Sequence, residues 1–231
     1  MIEANPSKPT RSVHHGDAIA WLEAAELGPS HAIITSMPDV SELPVKDLSA
    51  WKLWFQNAAR LCLARLAPES VAIFFQTDIK AEGAWVDKGF LVQCAAQQEN
   101  ARLLWHKVVC RAPPSTVTFG RPAYSHMLCF SKELPLRVDR STADVIPAQG
   151  RTLWTRGMGV EACRIACEFV RRETACTTIV DPFCGVGTTL AVANALGFHA
   201  VGVELSRKRA ARAEALELPL SEWRSYAPSA V

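Results

Sequence analysis

The sequence predicts an α/β sandwich, a mostly parallel sheet with helices on both faces. Three observations carry that expectation. Short apolar runs alternate with segments whose apolar residues recur at helical spacing, over most of the chain. The run Thr178-Ile179-Val180 ends in Asp181-Pro182 and turns through Gly185 and Gly187 into a helical pattern over 188–196. A further apolar run, Ala200 to Val203, closes on Glu204. With 231 residues the chain suits one domain, expected over 13–218, with a small variable insert at 133–150. Residues 1–12 read as a flexible lead and 219–231 as a tail.

The elements follow in order. Residues 13–18 read as a short strand and turn, with Asp17 as the N-cap of a helix over 18–27 that Gly28-Pro29 ends. Residues 31–35 form a short buried strand, and Ser36-Met37-Pro38-Asp39 is the loop at its carboxyl end. Apolar positions 51, 54, 55, 58, 61, 62 and 66 share one face of a helix over 48–66. Residues 71–75 are a strand, and 78–88 are mixed, ending at Gly89. Strands are expected over 103–109 and 124–130. Between them, 111–122 is rich in Pro, Ser, Thr and Arg and reads as a long loop. Residues 133–150 lack a period. Helices follow over 160–172 and, after the glycine loop and the strand ending at Glu204, over 206–218.

Composition narrows the function classes. A net charge of +2 rules out a polycation, so any nucleic-acid surface must be local. No apolar run approaches the roughly 18 residues of a membrane span, and residues 1–12 lack the apolar centre of a signal peptide. Eight cysteines occur without a Cys-x-x-Cys pair, mostly inside apolar patterns, as reduced buried residues do. Cys163 and Cys167 stand one helical turn apart, but no Cys or His pair matches them, so no metal is expected. A cytoplasmic protein is the expectation.

The glycine loop carries the chemistry. Gly185 and Gly187 allow a tight bend and close approach of a ligand, and Glu204 stands at the tip of the next strand, where ribose hydroxyls are gripped. The third glycine of a dinucleotide fingerprint is missing, and no Gly-Lys-Ser/Thr is present. The string Asp181-Pro182-Phe183-Cys184-Gly185-Val186-Gly187-Thr188-Thr189 resembles the first motif of the amino-methylating S-adenosylmethionine methyltransferases, Asp-Pro-Phe-x-Gly-x-Gly-Thr-Thr. The resemblance implies S-adenosylmethionine as cofactor. It places Asp181 near the methionine end, wraps the glycine loop round methionine and ribose, and sets Glu204 on the ribose diol. Gly16-Asp17-Ala18 is similar to a second segment, whose acid contacts the adenine amino group. The expected cofactor-binding set is therefore Asp17, Ala18, Asp181, Pro182, Phe183, Cys184, Gly185, Gly187, Thr188, Thr189, Glu204 and Leu205.

In that family the other loop reads Asp/Asn/Ser-Pro-Pro-Tyr/Phe/Trp and holds the amine to be methylated. Here Ser36-Met37-Pro38-Asp39 occupies its place and precedes the glycine loop, an order like that of the circularly permuted β-type DNA amino-methyltransferases. Leu104-Trp105-His106-Lys107 and residues 126–132 are similar to that family's later strands, and Trp154 to Val160 stands where its lead into the helix lies, with Arg156, Gly157 and Gly159 in place of His and Lys. The resemblance makes Ser36, Met37, Pro38 and Asp39 the catalytic loop, with the Ser36 side chain and the Met37 carbonyl accepting the two amine N–H groups. Asp39 cannot stack a base. An acid there suits guanine N2, could act as a general base, or simply caps the next turn. Trp51, Trp54 or Trp85 could supply a stacking face or pack in the core.

The short insert leaves little room for a target-recognition region. The expected substrate is therefore a base amine of structured RNA, tRNA or rRNA, ahead of DNA, with Arg111, Arg121, Arg137 and Arg140 as phosphate contacts or as solubilising charges. A protein or small-molecule amine, and a non-catalytic cofactor-binding subunit, stay open as alternatives. A homodimer or a partner subunit is open too.

Overall fold

The computed structural model describes residues 8–45 and 47–219. Among these, ten strands and six α-helices follow one another as β1 (Arg11–His15), α1 (Ala18–Ala24), β2 (His31–Thr35), α2 (Leu48–Ala64), β3 (Ala72–Gln76), β4 (Ile79–Ala81), β5 (Ala84–Val86), α3 (Lys88–Gln98), β6 (Arg102–Cys110), β7 (Tyr124–Ser131), β8 (Val145–Ile146), α4 (Val160–Glu173), β9 (Thr178–Asp181), α5 (Thr188–Ala195), β10 (His199–Glu204) and α6 (Arg207–Ala215). Eight of the strands make one sheet in the order β1-β10-β9-β2-β3-β7-β6-β8. The five from β1 to β3 are parallel, β7 runs against them, and β6 and β8 run with them again. The expected α/β sandwich with a mostly parallel sheet is the fold observed.

Side-chain alternation along the central strands fills two cores. Ile34, Ile73 and Ile179 point into one, shared with Ala162, Cys163, Ala166 and Cys167 of α4 and Leu190 to Ala193 of α5. Ile33, Phe74 and Val180 point into the other, against Leu22 of α1, Trp51 and Phe55 of α2 and Leu91 and Val92 of α3. The starts of α1, α2 and α3 obey one rule. Asp17, Asp47 and Asp87 each accept a hydrogen bond from the backbone N–H three residues on, at 2.9, 2.6 and 2.8 Å, satisfying donors that the first turn leaves free.

Several elements differ from the sequence-based expectation. β1 begins at Arg11, so the expected lead of residues 1–12 is ordered at its end, and residues 1–7 lie outside the described residues, as do 220–231 of the expected tail. Residues 78–88 fold as the β4–β5 hairpin and 88–98 as α3. The insert supplies β8, a two-residue edge strand pairing Val145 and Ile146 with Val108 and Val109 of β6. All eight cysteines are free, and Cys163 and Cys167 lie on the buried face of α4, where burial pushes the Cys163 thiol up to about 12. No helix among the described residues is long and apolar enough to cross a membrane.

The topology fixes where a ligand can sit. From β9 the chain crosses through α5 to β10 on one side, and from β2 it crosses through α2 to β3 on the other. The crevice opens at the carboxyl ends of β9 and β2, where the winding direction reverses.

Candidate active site

Asp181 ends β9 and Thr35 ends β2, and the two meet: Thr35 Oγ1 donates to Asp181 Oδ1 at 2.7 Å, which also accepts from the Phe183 N–H at 3.2 Å. The carboxyl is buried, and loss of water around it raises its pKa to about 6, against the pull of those hydrogen bonds. Two glycines then turn the chain into α5, for different reasons. Gly187 has φ +84°, and a Cβ there would stand 2.7 Å from Cα of Ala213 in α6, so the position needs both the left-handed backbone and the missing side chain. Gly185 has φ +56°, but a Cβ there would meet nothing within 4 Å. Its bare face lines the cavity at this end of the sheet.

That cavity collects most of the residues expected from sequence. Asp17, Ala18, Asp181, Pro182, Phe183, Cys184, Gly185, Thr188, Thr189, Glu204 and Leu205 line it, together with Ser36, Met37 and Pro38 from the loop after β2. Gly187 stands behind the wall, against α6. Glu204, buried at the end of β10, is oriented by three donors on Oε1: the Ser206 N–H at 2.7 Å and Arg209 Nε and Nη2 at 2.8 and 2.7 Å.

Asp39 is the exception, and the expectation for it needs correcting. It is buried but not on the cavity wall. Lys88 Nζ, at the start of α3, reaches its Oδ1 at 2.5 Å, and Arg121 Nη2, from the loop between β6 and β7, holds its Oδ2. Its backbone N–H donates to Glu42 Oε2 at 3.0 Å. A carboxylate held by two cations is a poor general base and has no free edge for a guanine ring. Burial lowers the Lys88 pKa, and the Asp39 charge pulls it back up. Asp39 therefore anchors the acceptor loop.

The aromatic groups sort out in the same way. Trp51 is fully buried against Phe55, with centroids 5.2 Å apart, and belongs to the core. Trp85 donates to Asp78 at 3.2 Å, with Lys80 over its ring, away from the cavity. Trp54 lines the cavity and packs edge-on against Phe183 at 5.9 Å, and Trp154 lines it too. Arg156, Gly157 and Met158 complete the wall from the lead into α4, with Arg156 3.6 Å from Glu42. Sequence reasoning misses Glu42 and Arg209. The Asp39-x-x-Glu42 spacing, a capping pattern, is the available signal for the first.

Among the described residues one group, Asp78, Asp87 and His126, brings potential metal-ligand atoms within 4.8 Å of one another. Each is already engaged: Asp78 accepts from the Lys88 N–H at 2.8 Å, Asp87 from the Phe90 N–H at 2.8 Å, and His126 Nε2 and Nδ1 pair with Asp78 and His106, each at 2.9 Å. The set fastens the start of α3, which carries Lys88.

Residues 176–215, spanning β9, α5, β10 and α6, match a family model of the N6/N4 methyltransferase type, described as DNA methylase. The match covers the glycine loop and the strand that ends at Glu204, the part of the chain whose resemblance to the amino-methyltransferases is read from sequence. Among solved structures it is similar to the cytosine-N4-specific PvuII DNA methyltransferase, at 16% identity over 95% of this chain and 92% of that one, with a TM-score of 0.71. It is also similar to a Thermus thermophilus protein assigned provisionally as a DNA modification methylase, at 19% identity over 88% and 93%, with a TM-score of 0.68. The same Thermus protein in complex with S-adenosyl-L-methionine gives 19%, 88%, 91% and 0.68. At such identities the likeness speaks for the fold. No curated protein matches the sequence.

The cofactor expectation of S-adenosylmethionine stands, in keeping with the Thermus protein that is similar in fold and binds it. The residues fit it. Gly185 offers a cradle that a side chain would fill, Asp181 and Glu204 offer buried carboxylates at the tips of the neighbouring strands β9 and β10, and Phe183 and Leu205 offer apolar surface. The expectation of structured RNA finds no support among the matched proteins, which are DNA enzymes by name.

Proposed function

We propose that the protein methylates an exocyclic amino group of a DNA base, cytosine N4 or adenine N6, with S-adenosylmethionine as donor. One observation carries this reading: the acceptor loop Ser36-Met37-Pro38 and the glycine loop line one cavity, joined at its floor by the 2.7 Å bond between Thr35 and Asp181. The cofactor supplies an electrophilic methyl carbon on a sulfonium. The protein supplies alignment and a fixed field.

A base amine is a weak nucleophile because its lone pair is delocalised into the ring. Ser36 Oγ and the Met37 carbonyl, accepting its two N–H bonds, localise that pair. Pro38 has no N–H of its own and fixes the turn after Met37. Transfer of the methyl would leave the donor's sulfur as a neutral thioether, and the nitrogen would pass its excess proton by way of Ser36 Oγ, which already accepts that N–H, to solvent. The buried charge of Asp181 favours a cationic donor beside it. Aromatic surface for the extruded base comes from Trp54, Phe183 or Trp154 in place of a fourth-position ring, at about 1–3 kcal/mol per stacked base. The guanine N2 reading loses its residue, since Asp39 is held by Lys88 and Arg121.

The test is methylation of unmodified, PCR-amplified DNA and of total RNA with labelled cofactor, followed by nucleoside mass spectrometry. N4-methylcytosine or N6-methyladenine from the DNA is the expected product. A methylated nucleoside from the RNA alone would reverse the substrate assignment. Tight cofactor binding with no product from either would turn the reading towards a non-catalytic subunit.

A further inference from the structure

We propose that the loop joining β6 to β7, residues 111–123, is the arm with which this chain opens a DNA duplex, and that Phe119 is the wedge that fills the place of the extruded base. This rests on the reading above and names how the substrate reaches that same site.

The topology puts the loop on the right edge. β6 runs parallel to β3, through the antiparallel β7 between them, so Cys110 ends on the same side as Thr35 and Asp181. The loop is closed at its base by hydrogen bonds from the Arg111 and Ala112 N–H groups to the Ala123 carbonyl at 2.7 and 3.2 Å. It is stiffened by Pro113, Pro114 and Pro122, and by the Thr116 hydroxyl on the Pro113 carbonyl at 2.7 Å. Two residues beyond the tip, Arg121 grips Asp39 in the acceptor loop. The arm is thereby fixed to the segment that presents Ser36 and Met37.

Its tip is apolar and stands in solvent: Phe119 is 90% exposed and Val117 77%. Two bare apolar side chains carried on one stiffened tip make a surface suited to being covered in use. A base inside a duplex cannot reach a cavity until it leaves the stack, and the gap it leaves costs stacking energy that an inserted apolar side chain recovers. Lys88 and Arg121 set two positive charges on the single carboxylate of Asp39 at the base of the arm, and the net positive charge suits the polyanion that would lie over it. The insert at 133–150 does not compete for this role, because its β8 is tied to the outer side of β6.

The experiment compares Phe119→Ala with wild type on unmodified PCR-amplified DNA, native and heat-denatured, with tritiated S-adenosylmethionine. Cofactor affinity should be unchanged. The rate on native duplex should fall at least about tenfold, and the rate on denatured DNA should stay within about twofold, since single strands have no stack to open. Phe119→Leu, which keeps an apolar wedge, should retain most of the duplex rate. An alanine variant equal to wild type on duplex would overturn the wedge and leave the methyltransferase reading intact. An equal loss on both DNAs with a change in oligomeric state would overturn it in favour of a subunit contact. A wild type inactive on both DNAs would overturn the DNA reading and the wedge with it.

Discussion

The two loops that meet in the cavity are held in opposite ways. The glycine loop takes its shape chiefly within nine residues, from Gly185 and Gly187, from the bond of the Phe183 N–H to the Asp181 carboxylate and from the start of α5, with Thr35 and Ala213 as distant supports. The acceptor loop depends on distant parts of the chain. Its last residue, Asp39, is fixed by Lys88 and Arg121, 49 and 82 residues away. The glycine loop is thus set by backbone conformation, and the acceptor loop by buried charge. The charged anchor can therefore change without disturbing the glycine loop.

The largest effect should come from the charged anchor. Asp39→Ala leaves Lys88, 3% exposed, without its main partner, and should cost about 3–5 kcal/mol in a urea melt. Adding Lys88→Met should restore part of this, while cofactor affinity of the folded protein stays level. A loss under about 1 kcal/mol would show that the pair does not hold the loop. Next come the glycines, which should separate stability from binding. Gly187→Ala meets both strain and Ala213 and should cost about 3 kcal/mol of stability. Gly185→Ala has room and should cost only about 1–2 kcal/mol, yet abolish cofactor binding in calorimetry. If both variants bind normally, the bare face of Gly185 is not a cradle.

Asp181 should show its cost through pH. Its folded pKa, about 6, lies above the ordinary 3.8, so the folded state holds the extra proton between those values. Stability from this group is full below pH 4, falls as pH rises to 6, and stays lower above it. Asp181→Asn should therefore gain about 2–3 kcal/mol at pH 7 and little at pH 4, while losing cofactor affinity. Wild-type affinity should fall as pH drops through 6, and the variant's should not follow. The smallest effect on stability is expected at Glu204→Ala, which should weaken cofactor binding by about 1.5–3 kcal/mol and lower the melt by about 1 kcal/mol, since the Ser206 N–H and Arg209 lose their acceptor.

How much of this the sequence discloses follows from the same contrast. β9, its loop, α5 and β10 lie within 27 residues, 178–204, so spacing alone exposes them. Helix α3 escapes a reading by pattern because Gly89 sits in its first turn and its buried residues, from Lys88 to Ala96, follow no narrow stripe. The β4–β5 hairpin has three residues a strand, turning at Glu82 and Gly83 with φ of 52° and 72°, too short to show alternation. Two-residue β8 exists only because β6 offers it an edge. Asp39 has the look of an active-site acid because its neighbours in sequence form the acceptor loop, whereas its partners come from the start of α3 and the β6–β7 loop. Trp54 and Trp51 share the same helix and composition. Only packing decides that one faces the cavity and the other the core.

Arg11 of β1 joins the beginning and end of the fold. Its guanidinium reaches the Asn194 side chain at 2.7 Å and the carbonyls of Ala213 and Leu216 at 2.9 and 2.5 Å, while Asn194 returns a bond to the Thr10 carbonyl at 3.0 Å. Neighbouring ends make the order of the two half-sites a matter of where the ribbon is severed. A gene re-cut between α4 and β9, with the old ends spliced by a linker, would encode a donor-first protein with every strand pairing intact. Its circular dichroism and melting profile should overlay those of the parent.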